Sequence, residues 1–207
     1  MKRLLIVLML IAFTGGGALA GDMTFGVKGG VNLADLSGDD ITNNEIKTVF
    51  VGGIYFNYAF SDIISLQPEA LFAMKGTKST VLENTGINLT YVDIPFLLKF
   101  SLPTEGKFVP SVFAGPSFGI LMSADYEIAL EEMDIKDYLK SADVGLVLGI
   151  GFDYRIGPGM LLFDARYTFG FSTIIDDPEQ FGPEPAGEEV EVKTNGMMFM
   201  VGYGHSF

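Results

Sequence analysis

The chain has no cysteine, no tryptophan and a single histidine among its 207 residues. Without cysteine there is no disulfide framework, no thiol nucleophile and no thiolate metal site. Positive charge is scarce too: 13 Lys and Arg stand against 26 Asp and Glu, a formal net charge of −13. Such a surface repels phosphate backbones, which argues against nucleic acid as a partner. The body of the chain also lacks a long apolar run. Its best candidate, Phe108 to Ser123, is interrupted by Pro110, Gly115, Pro116 and Gly119, whereas a spanning helix needs roughly 20 apolar residues.

Apolar residues are nevertheless abundant. The chain is 48% hydrophobic, with 26 Gly and 18 Phe. Part of this belongs to residues 1–20, which read as a signal peptide. Lys2 and Arg3 give a positive start, Leu4 to Phe13 an apolar core, and Ala18-Leu19-Ala20 a cleavage site. That apolar core is too short to anchor the chain in a bilayer. Cleavage after Ala20 leaves residues 21–207 as one domain, with no cysteine to carry a lipid.

The mature chain sorts its residues with a period of two, as a strand does. From Leu161 to Ser172 one face reads Leu161, Phe163, Ala165, Tyr167, Phe169 and Phe171. The other reads Leu162, Asp164, Arg166, Thr168, Gly170 and Ser172. The same sorting marks Val144 to Tyr154, Ile64 to Lys75 and Val92 to Phe100. Phe25 to Leu33, Phe50 to Phe60, Phe108 to Ser123 and Met197 to Phe207 complete a set of eight strands. Each is near the ~9–11 residues that carry a tilted strand across a bilayer. The polar faces are rich in small residues such as Gly26, Gly53, Gly149 and Gly202. Glycine would only weaken a solvent-facing strand, but it makes room inside a narrow barrel. The Phe-rich faces therefore point to lipid. The expected fold is all-β: an eight-stranded antiparallel up-and-down transmembrane β-barrel, closed so that no backbone group is left unpaired.

The connections alternate between short and long. Ser61-Asp62, Leu102 to Lys107 and Ile156 to Gly159 are short; Ala34 to Thr48, Thr77 to Ile87, Ala124 to Ala142 and Thr173 to Lys193 are long. Short turns on the periplasmic side and long outer loops put both termini in the periplasm and four loops outside. The long loops hold most of the acid, including Asp35, Asp39, Asp40, Asp125, Glu131, Glu132, Asp134, Asp177, Glu179, Glu184, Glu188, Glu189 and Glu191. They read as a solvated surface or as a site for divalent cations, although none has an EF-hand spacing. One helical turn is expected within Asp134 to Lys140. Pro68, Pro95 and Pro110 fall in three consecutive strands, where local bulges are expected because proline cannot donate to the ladder.

The segments Gly26-Val27-Lys28-Gly29-Gly30-Val31-Asn32, Leu66-Gln67-Pro68-Glu69 through Lys75-Gly76, Tyr91-Val92-Asp93-Ile94-Pro95 through Lys99, Ala114-Gly115-Pro116 and the terminal Phe207 resemble, in order and spacing, the PorT-like outer membrane β-barrel family of Bacteroidetes-type bacteria. The resemblance implies an integral protein of the cell outer membrane, in contact with its lipids. It says little about activity. Phe199, Val201, Tyr203 and Phe207 are similar to the C-terminal signal through which barrel-assembly machinery takes up its clients.

Eight charges are expected on the lumen face: Lys28, Glu69, Lys75, Asp93, Lys99, Asp153, Asp164 and Arg166. The two signs balance, which fits a salt-bridge network that closes a narrow barrel. The resulting reading is a monomeric barrel with a structural or surface-interaction role. A narrow channel or transporter for small solutes or apolar molecules is the alternative. Catalysis is not expected. The only histidine, His205, neighbours Ser206, and adjacent strand residues point to opposite faces. No cofactor is expected either.

Overall fold

A strand in lipid must pair both of its edges, because the hydrocarbon offers its N–H and C=O groups no partner. The computed structural model shows how this chain does so. It describes residues 22–38, 44–79, 85–128, 131–176 and 191–207. The expected signal peptide lies outside these residues, as do the loop acids Asp39, Asp40, Asp177, Glu179, Glu184, Glu188 and Glu189.

Among the described residues nine strands form: β1 (Met23–Ser37), β2 (Asn44–Ala59), β3 (Ile64–Ser79), β4 (Thr85–Ser101), β5 (Phe108–Ile128), β6 (Glu131–Asp134), β7 (Ala142–Ile156), β8 (Gly159–Gly170) and β9 (Lys193–Ser206). Eight of them make a closed ring, with all neighbours antiparallel. Closure comes from β1 against β9, with Val27 opposite Tyr203, and from β4 against β5, with Ile94 opposite Phe118. The four-residue β6 stands outside the ring and pairs with the far end of β5. The expected eight-stranded barrel is therefore the observed one.

The two faces are those of the sequence pattern. Phe25, Phe50, Phe72, Ile150 and Phe199 are exposed on the outer wall, while Asn32, Tyr55, Glu69 and Leu97 are buried inside. One end of the barrel carries the termini and short turns and is called the turn end. The turn between β7 and β8 has only two residues, Gly157 and Pro158. Gly157 adopts φ of +58°, a value that favours glycine in a tight hairpin.

The opposite, loop end differs from the expectation. The strands run well beyond the lipid-facing pattern: β5 continues to Ile128 and β4 begins at Thr85. The added residues continue the ladder, with Thr85 opposite Ile128, and their inner face is still apolar at Leu89 and Leu121. The turn expected between Asp134 and Lys140 is a 3-10 turn at Lys136–Tyr138, and Asp134 accepts a hydrogen bond from the Lys136 N–H at 2.9 Å.

The proline bulges are a second correction. The register runs unshifted past Pro68, Pro95 and Pro110. A strand residue donates to only one neighbour in an antiparallel ladder, so a proline removes one bond and need not displace the chain. Pairing does lapse nearby: it steps from Tyr55–Glu69 to Tyr58–Leu66, and from Pro95–Ser117 to Leu98–Ala114. The register shifts fall elsewhere, between Ile46 and Val51 in β2 and between Thr90 and Tyr91 in β4.

Side chains fill the lumen in layers. Val51, Leu71, Ala73, Met198 and Met200 pack together, and Leu97, Phe113 and Val147 form a separate apolar group. At the loop end Leu36, Leu89, Tyr91 and Leu121 form an apolar layer that takes Leu139 and Ile174 from the connections above. Those connections clasp each other through an isolated bridge between Leu139 and Ile175. Lys140 N–H donates to Ile174 O at 2.8 Å, and Asp176 N–H to Tyr138 O at 3.1 Å.

Candidate functional site

All eight expected lumen charges face the interior and are buried. They separate into three groups. The largest joins β1, β3 and β8. Lys28 Nζ lies 2.5 Å from Glu69 Oε1 and 3.1 Å from Asp164 Oδ2. Arg166 donates from Nη1 and Nη2 to the two oxygens of Glu69, at 2.8 and 3.2 Å. It also grips Asp164 through Nε at 3.1 Å and Nη2 at 2.8 Å. Gln67 Nε2 donates to Glu69 Oε1 at 2.7 Å. The ring order puts β3 and β8 on opposite sides of the barrel, so the Glu69–Arg166 bridge crosses the lumen.

Bare backbone makes room for this crossing. Tyr55 lies over Gly26 and Gly204, where an added Cβ would meet its ring or hydroxyl at 2.5 and 2.3 Å. Phe113 lies over Gly149 in the same way, at 2.3 Å. The two rings then flank the cations: Lys28 Nζ is 5.6 Å from the Tyr55 centroid, and Arg166 Cζ is 5.0 Å from that of Phe113. Glycine on this face thus serves packing of aromatic rings around charge.

The second group sits nearer the loop end. Lys75 Nζ is 3.2 Å from Asp93 and 3.2 Å from Asp143. Asp143 also accepts from Ser172 Oγ at 2.9 Å and Thr194 Oγ1 at 2.6 Å. The sequence reading missed Asp143. It precedes Val144, where that reading began the strand, yet it continues the inward series through Gly145 and Val147. With Asp143 the buried charges among the described residues are five carboxylates and four cations, so the expected balance is corrected to one net negative charge. The third group is the pair Lys99–Asp153, at 2.7 Å.

Below Lys99 and Asp153 the lumen opens at the turn end into a vestibule of about 610 Å³, lined mainly by polar residues such as Thr24, Asn57 and Ser65. Ser206 belongs to this inner surface, with its hydroxyl 3.0 Å from that of Thr24. His205 stands on the outer wall against Phe207, with ring centroids 4.9 Å apart. The two residues therefore do not meet. Phe199, Val201 and Tyr203 share that outer face with Phe207. Among the described residues no three acidic or histidine side chains converge as a metal site would require.

Comparison with known proteins bears on the fold. A family model described as "Outer membrane protein beta-barrel domain" matches residues 19–176. Among solved structures the chain is similar to Neisserial surface protein A, with a TM-score of 0.56 and 15% identity over 88% of this chain and 97% of that one. The outer membrane protein OprG from Pseudomonas aeruginosa aligns over 92% of this chain and 98% of its own, at 18% identity and a TM-score of 0.49. The E. coli Outer Membrane Protein W aligns over 92% and 100%, at 14% identity and 0.48. No curated protein sequence matches the chain.

Proposed function

Because the chain belongs to the family of the outer membrane protein beta-barrel domain, we propose that it is a closed, surface-directed barrel rather than a channel. The observation that carries this reading is the Glu69–Arg166 bridge, held across the lumen by Lys28 and Asp164. Four side chains that satisfy one another at this depth leave little room for hydrated ions. The apolar layer around Leu139 and Ile174 adds a second barrier at the loop end. The reading assigns no catalysis.

In this reading residues 1–20 are a cleaved signal peptide, both termini lie in the periplasm and the acidic loops face outward. The finer placement in the PorT-like group rests on the motifs from Gly26 to Lys99. Phe199, Val201, Tyr203 and Phe207 engage the barrel-assembly machinery during biogenesis, and outer membrane lipids cover the finished wall of a monomer. The loop carboxylates meet divalent cations or surface ligands.

Planar-bilayer recording of the refolded protein tests the closed lumen. The wild type is expected to give no steps; reproducible conductance that Arg166→Ala alters would establish the channel instead. Orientation is tested separately. The chain has no native cysteine, so a single cysteine at Asp134 should react with an impermeant maleimide on intact cells. One at Glu105 should not.

A further inference from the structure

The vestibule at the turn end ends blindly against Tyr55, Gln67, Lys99, Asp153 and Leu162. Its volume falls within the range of small-molecule sites. Two polar atoms at its floor have no hydrogen-bond partner: the Tyr55 hydroxyl and Asp153 Oδ1. Both residues are more than nine-tenths buried, at 1% and 8% exposure. A buried polar atom left unpaired is costly, and it marks a place where a partner is missing.

The other polar groups nearby show what kind of partner fits. Lys99 spends its ammonium on Asp153 Oδ2 at 2.7 Å. Asn57 donates from Nδ2 to Ser65 Oγ at 2.9 Å and to Gln67 Oε1 at 3.3 Å. Gln67 donates in turn to Glu69. Lys99, Asn57 and Gln67 thus each have a partner within the wall, whereas Asp153 Oδ1 and the Tyr55 hydroxyl have none; with the Asn57 carbonyl they offer three oxygens that can accept. The charged lining residues are Asp22, Asp62 and Asp153 against Lys99 and Arg155, an excess of one negative charge. A primary ammonium has three donors and no acceptor, which matches the three oxygens at the floor in number and the lining as a whole in sign.

We propose that the turn-end vestibule is a binding site for a small organic cation bearing a primary ammonium group, seated on Asp153, Tyr55 and Asn57. It is a dead-end site. The Lys28–Glu69–Asp164–Arg166 cluster lies above it, so a bound cation returns the way it entered. The site does not depend on a closed lumen for its chemistry, and a conducting barrel could still bind there.

The test is an NMR titration of the isotope-labelled, refolded barrel with 1,4-diaminobutane, against glucose and against sodium chloride of matched ionic strength. Saturable shifts confined to Asn57, Tyr55 and Asp153 are expected with the diamine alone. Asp153→Asn should weaken apparent affinity by roughly ten- to a hundredfold, the value of one hydrogen bond to a charged group. Asn57→Asp adds a carboxylate at the floor and should tighten it, which keeps the test decisive if Asp153→Asn fails to fold. Shifts that sodium chloride reproduces, equal response to glucose, or affinity indifferent to both substitutions would each overturn the proposal.

Discussion

The two larger ionic clusters share one lumen but are composed differently. The one nearer the turn end sets two carboxylates, Glu69 and Asp164, against two cations, Lys28 and Arg166. The one nearer the loop end sets Asp93 and Asp143 against Lys75 alone. In the first, both oxygens of each carboxylate are engaged. In the second, Asp93 Oδ1 has no partner, and Asp143 relies on the hydroxyls of Ser172 and Thr194. Their positions differ as well. The balanced cluster joins opposite walls, whereas the acidic one lies under the apolar layer of Leu89, Tyr91 and Leu121. A buried charge is tolerated when it is matched, so the balanced cluster acts as a strut and the acidic one as a strained filler.

Substitutions that change each balance should separate the two roles, and urea unfolding of the barrel refolded in lipid vesicles measures them. Glu69→Gln leaves Lys28 and Arg166 against Asp164 alone. The loss should be the largest, about 3–5 kcal/mol, as for breaking a buried pair. Leu139→Ala empties part of the layer above the acidic cluster and should cost about 2–3 kcal/mol; no change in midpoint would show that the loops do not seal the mouth. Gly149→Ala drives a methyl group into the Phe113 ring, with an expected cost of roughly 1–3 kcal/mol from overpacking. The smallest effect belongs to Asp93→Asn, which brings the acidic cluster to one carboxylate per cation. It should leave stability within about 0.5 kcal/mol or raise it. A loss as large as that of Glu69→Gln would erase the distinction between the clusters.

The wall of the barrel was legible because its two environments are sharply different. Phe163 and Asp164 are neighbours in sequence and lie on opposite faces, so a period of two survives along the whole lipid-spanning part of each strand. The same signal placed eight lumen charges on the correct face. Their pairing was not legible, because contacts such as Glu69 with Arg166 depend on the tilt and stagger of strands far apart in the chain. Asp143 was lost at a strand boundary, although its spacing from Gly145 and Val147 fits the inward series. The loop-end layer was hidden for another reason. Leu139 and Ile174 sit in segments without periodicity, and only the clasp between them gives them a common destination. Proline misled in the opposite direction: its missing donor suggested bulges, but the ladder absorbs it by omitting local pairs.

The central claim is that Glu69 and Arg166 hold each other across the barrel. A double-mutant cycle measures that directly, from the unfolding free energies of wild type, Glu69→Gln, Arg166→Met and the double variant. If the bridge spans the lumen, the coupling should be about 2–3 kcal/mol, within the range for residues of one salt-bridge network. Additivity of the two substitutions to within about 0.5 kcal/mol would mean that the residues do not meet, and the account of a strutted, closed lumen would be wrong.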